Sequence, residues 1–60
     1  MRILIIEDEV SLRGLVLARL TRDGYRCEAT GDGGEGLYLA SEYPFDVALV
    51  DLGLPTLSGI

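Results

Sequence analysis

The sequence predicts an α/β fold built on a parallel sheet, with its elements in the order β-α-β-α-β. Three observations lead there. Residues 3–6 are a run of isoleucine and leucine without polar alternation, as a strand covered on both faces requires. From Ser11 the apolar period lengthens to that of a helix. Residues 45–50 return to a mostly apolar stretch that ends at the carboxylate of Asp51. Short connections between such units point to right-handed crossovers between neighbouring parallel strands.

The first strand is ended by Glu7, Asp8 and Glu9. In the helix that follows, Leu12, Leu15, Val16 and Leu20 recur at helical spacing and are expected to face the sheet, with Arg13, Arg19 and Arg22 toward water. Asp23-Gly24 stops that helix. Residues 26–30 alternate, Cys27 and Ala29 on one face and Arg26 and Glu28 on the other, the pattern of a strand at a sheet edge. Cys27 itself reads as a small buried hydrophobe. Gly31-Asp32-Gly33 predicts a turn, with Thr30 as a turn residue beside it. A weak helix then runs to about Tyr43, with Leu37 and Ala40 inward. Gly34 and Gly36 each cost it about 1 kcal/mol against alanine. Pro44 closes it, and the third strand, residues 45–50, is apolar enough for a central position.

Composition narrows the chemistry. Sixty residues allow one unit at most, and Cys27, the only cysteine, allows no internal disulfide. Ten acids oppose five arginines, for a net charge of −5 with neither lysine nor histidine. That sign disfavours a nucleic-acid surface. Without histidine or a zinc-type ligand cluster, the reactive groups are carboxylates, hydroxyls and one thiol. No cationic leader is present, and no apolar run nears the roughly 18 residues that cross a bilayer. A cytoplasmic setting without membrane contact is expected.

In open parallel sheets, ligands bind beyond the carboxyl ends of the strands, where the strand order reverses. If the first and third strands are neighbours and the second is the edge, that corner receives Glu7 and Asp8 from one strand and Asp51 from the other. Three carboxylates in one crevice repel one another, so either one is protonated or a cation sits among them. Oxygen ligands, partly from solvent, suit magnesium. An aspartate beside such a cation can act as nucleophile toward a phosphoryl group. Gly53 would let a backbone carbonyl face the metal, and Pro55 stiffens the turn. Acids at residues 7–9 have a plainer use as well, since they favour the positive N-terminus of the helix behind them. Asp51 taken singly could be a turn or cap residue.

The strand ending in Glu7-Asp8-Glu9, the Asp-Gly after the second strand and the segment from Val50 through Asp51, Gly53 and Pro55 to Gly59 carry a resemblance. Together they resemble the receiver domain of bacterial two-component response regulators, in detail those of the OmpR/PhoB type. The resemblance spans the whole chain and implies a flavodoxin-like (receiver) parallel sheet, here truncated to β-α-β-α-β. It implies Asp51 as phosphoacceptor, Asp8 as a direct Mg2+ ligand, Glu7 as a ligand chiefly through water, and the Gly53 backbone carbonyl in the metal's shell. A sensor histidine kinase would be the phosphodonor, and the chain would take part in its own phosphorylation without being a turnover enzyme. Residues 1–60 would form the N-terminal half of a receiver, with a winged-helix DNA-binding output domain in a longer parent protein. The Ser or Thr and the Lys that the family carries on later strands lie beyond Ile60. Gly36 stands where the family usually has alanine.

Two other readings follow from the same residues. With the third strand's far edge uncovered, the chain is expected to form a homo-oligomer by pairing that edge with its mate, and it could be such an assembled half-domain without phosphotransfer. Gly31-x-Gly33-x-x-Gly36 also matches the spacing of a dinucleotide-binding loop, with Asp51 about 20 residues on. Asp32 and Glu35 oppose that second reading, because they place negative charge where a pyrophosphate would sit.

Overall fold

The computed structural model describes residues 1–50 and has the expected order: β1 (Arg2–Ile6), α1 (Val10–Arg22), β2 (Arg26–Thr30), α2 (Gly33–Glu42) and β3 (Val47–Val50). The three strands form one parallel sheet in the order β2-β1-β3. The chain therefore moves first to one side of β1 and then to the other, so the strand order reverses at β1 and β3. That is the arrangement on which a binding corner depends.

Within β1, Ile3, Leu4 and Ile5 are all buried. Successive strand side chains point to opposite faces, so both faces of β1 are covered. The helix α2 covers the face that presents Ile6, against which Gly36 packs. The opposite face falls to α1, which lies mainly along β2. At the edge, β2 shows the alternation expected of it: Cys27 and Ala29 are half-buried, Arg26 and Glu28 exposed.

Four expectations about side-chain facing need correction. Leu15 is 69% exposed and Leu37 71%, and Ala40 also faces out. The inward stripe of α1 follows the i, i+4 rows through Leu12, Val16 and Leu20 and through Arg13 and Leu17. In α2 it runs through Gly36 and Leu39. A sheet of three short strands covers only a narrow stripe of each helix, and a residue one step off the stripe is turned by about 100° into solvent. Arg13 is the fourth correction, being half-buried.

The third strand starts two residues later than expected, at Val47. Ahead of it, Asp46 forms a two-point clamp with the foot of β1. The Arg2 N–H donates to the Asp46 carboxylate at 2.8 Å, and the Asp46 N–H donates to the Arg2 carbonyl at 2.8 Å. The Arg2 guanidinium also lies 5.2 Å from the centre of the Phe45 ring. This clamp fixes the register Ile3↔Val47 through Ile6↔Val50. Among the described residues β3 is an edge strand, its far side uncovered as expected, and Val47 and Val50 are 39% and 49% exposed.

Candidate functional site

At the carboxyl end of β1 the chain leaves the sheet through Glu7 and Asp8 and enters α1 at Glu9. Glu9 is the N-cap: its carboxylate accepts from the Ser11 N–H at 3.2 Å and from the Leu12 N–H at 2.6 Å. The plainer reading of the acidic run, helix capping, is therefore realised at Glu9, a residue outside the proposed metal set.

Glu7 is only 2% exposed. Its N–H donates to the Thr30 carbonyl at 3.0 Å, tying it to β2, and its carboxylate accepts from the Glu9 N–H at 3.1 Å. Burial of an ionisable side chain is costly unless it is hydrogen-bonded, and here the bond holds the carboxylate over the start of α1. Asp8 points away from this packing and is exposed. One acid is thus fixed inside the corner and the next stands at its rim.

Strand register brings β3 to the same corner. Val50, the residue before Asp51, is the partner of Ile6, the residue before Glu7. Asp51 and Gly53 lie outside the described residues. Glu7 and Asp8 offer oxygen ligands only, the chemistry that magnesium takes. Among the described residues no group of three potential ligands comes together. In type, the oxygen donors present fit a magnesium site.

The structure adds residues that sequence reasoning left aside. Thr30 is buried, accepting from the Asp32 N–H through its hydroxyl at 3.1 Å while its carbonyl receives Glu7. Arg13, expected in water, turns back and donates through Nη1 to the Glu7 carbonyl at 3.0 Å. No spacing signal separates such an arginine from a surface one.

The glycine-rich segment does not form a phosphate loop. Asp32 caps α2, its carboxylate accepting from the Gly34 N–H at 2.9 Å, so the helix N-terminus that would take a pyrophosphate already holds an acid. The preceding strand is the edge strand β2. A hollow of about 550 Å³ lined by Leu15, Val16, Ala18, Arg19, Leu20 and Arg22 lies along α1 and includes none of the acidic residues.

Residues 3–60 match the response regulator receiver domain, and the chain belongs to that family. Among curated relatives, it is 45% identical over 60 residues to the two-component response regulator PhoP of Pseudomonas aeruginosa, covering 100% of this chain and 27% of that one. It is 40% identical over 60 residues to the virulence transcriptional regulatory protein PhoP of Salmonella choleraesuis, again covering 100% of this chain and 27% of the relative. To the transcriptional activator protein PfeR of Pseudomonas aeruginosa it is 41% identical over 59 residues, covering 98% of this chain and 19% of that protein. The chain thus spans between about a fifth and a quarter of the length of these relatives. No solved structure matches it.

Proposed function

We propose that this chain is the phosphoacceptor part of a two-component signalling protein, taking a phosphoryl group on Asp51 from a sensor histidine kinase. The observation that carries the reading is the pairing of Ile6 with Val50, which brings the chain segments leading to Glu7 and to Asp51 side by side at the reversal of strand order. Family membership supplies the reaction class.

In this reading an Asp51 carboxylate oxygen attacks the phosphorus, the P–N bond of the donor phosphohistidine breaks, and an acyl phosphate forms on Asp51. Asp8, exposed at the rim, would hold Mg2+ directly. Glu7, buried and already bonded to the Glu9 N–H, would act through a bridging water, and the Gly53 carbonyl would complete the protein's share. A bound Mg2+ supplies neutralisation of charge on the transferring group. Glu7 keeps its carboxylate oriented, and capping keeps the Glu9 carboxylate committed to the helix and out of the site.

Residues 1–60 form the N-terminal portion of the receiver, working in the cytoplasm in a longer regulator. Relatives named as transcriptional regulators support an output in transcription, which a winged-helix domain elsewhere in such a protein would carry to DNA. The exposed edge valines of β3 support self-association of the isolated 60-residue chain through that strand.

Incubation with acetyl phosphate and Mg2+, read by intact mass, tests the central point. The wild type is expected to gain one phosphoryl group and Asp51→Asn none. No uptake by the wild type, in the full-length protein as well as in this chain, would leave only a structural role.

A further inference from the structure

We infer that Arg13 is the positioning residue of the acidic corner: its guanidinium fixes the turn that carries Glu7 and Asp8, and Gly31 is the space it occupies. The inference rests on the magnesium reading for its functional consequence, and on the described contacts for its geometry. Arg13 lies one turn into α1, its own N–H bonded to the carbonyl of the N-cap Glu9 at 2.9 Å. From there Nη1 reaches the Glu7 carbonyl at 3.0 Å. That carbonyl belongs to the planar peptide unit that includes the Asp8 N–H, so pinning it sets the direction in which the chain enters Asp8. A guanidinium donor makes the bond stronger than a neutral one.

Gly31, in the turn between β2 and α2, lies against the guanidinium. A side-chain carbon at Gly31 would collide with Arg13 Nη1 and stand 3.5 Å from the Glu7 carbonyl oxygen. A side chain at Gly31 would therefore displace the guanidinium, and the position has no positive φ. The N–H of Glu7 is held by Thr30, its carboxylate by Glu9 and its carbonyl by Arg13. The first two bonds come from neighbouring backbone and survive most substitutions. The third depends on one side chain, and it ties the Glu7–Asp8 peptide to the body of α1.

The test compares Arg13→Met, Arg13→Lys and Gly31→Ala with the wild type in the full-length protein. It uses site-resolved amide exchange without metal and calorimetric titration with MgCl2. Arg13→Met keeps the stem and removes the charged donor. It is expected to speed exchange of the Glu9 amide, the donor to Glu7, by about tenfold, the scale of one lost charge-assisted bond. Mg2+ affinity should fall by about tenfold, as when an outer partner of a metal ligand is removed. Gly31→Ala, which displaces the guanidinium without altering it, should do the same, and adding it to Arg13→Met should change nothing further. Arg13→Lys should recover part of both losses. The inference is overturned if Glu9 exchange is unchanged in Arg13→Met, or if exchange rises equally along α1 and β2, the sign of a purely structural role. A wild type that binds no Mg2+ while the exchange pattern holds would instead overturn the magnesium reading and leave the anchoring in place.

Discussion

At position 36 a single methyl group decides how close α2 lies to the sheet. A Cβ there would stand 2.5 Å from Cδ1 and 2.7 Å from Cγ1 of Ile6, and a β-branched neighbour has few rotamers to retreat into. The glycine that weakens α2 in isolation is the one that lets it seat. Gly36→Ala is expected to lower stability by about 1 kcal/mol, helix propensity gained being outweighed by overpacking. Placing it on Ile6→Val should recover part of that, read as the urea midpoint at constant slope. Sequence reasoning saw the cost of this glycine but not its use, because the partner that explains it lies 30 positions away in β1. Arg13 was hidden for the same reason. Its hydrogen bond to Glu7 is a feature of the folded corner, and in the sequence it is one of five arginines on an acidic chain. Glu7 and Asp8 were legible because consecutive charges after an apolar strand stand out against their surroundings.

Among the elements, α1 is the clearest case of local signals agreeing with structure. Glu9 caps its start, Asp23 closes its end, and Gly24 takes the positive φ of 96° that follows. Arg19 and Asp23 pair at 3.2 Å, both well exposed, so this ion pair adds little. The cap matters more. Glu9→Ala removes the acceptor for two helical N–H groups and is expected to destabilise α1 by about 1 kcal/mol, seen as a lower melting midpoint by circular dichroism. Mg2+ affinity should stay within about twofold, since Glu9 is not among the proposed ligands; a loss as large as that of Asp8→Asn would place Glu9 in the metal set. Element order and type were readable because each run of apolar residues keeps one period and ends in a residue with a physical reason to stop it. Facing was less so. Leu15 and Leu37 fit a helical stripe as well as their neighbours do, and only the width of the sheet beneath decides which leucine is covered.

For the molecule as a whole, the alternating pattern of residues 26–30 marked β2 as an edge, while the order β2-β1-β3 was what the resemblance to a receiver implied. Among the described residues β3 is the other edge, as its uncovered far side led one to expect, and its valines are the basis for expecting the 60-residue chain to associate through that edge. Sedimentation equilibrium should report a dimer or larger species, and Val47→Lys should shift it toward monomer; a folded monomer at high concentration would remove the idea. The clamp between Arg2 and Asp46 has a further consequence for how such a chain can evolve. Glu7 lies five residues beyond Arg2, and Asp51 five beyond Asp46, so β1 and β3 act as rulers of equal length laid from a common origin. Added or lost residues around Pro44, upstream of that origin, leave the rulers matched. One residue inserted within 47–50 puts the end of β3 out of step with Ile6 and turns every later side chain of the strand to the opposite face. Length variation should therefore be tolerated before Asp46 and purged after it, which a deletion and insertion scan scored for phosphoryl uptake would reveal.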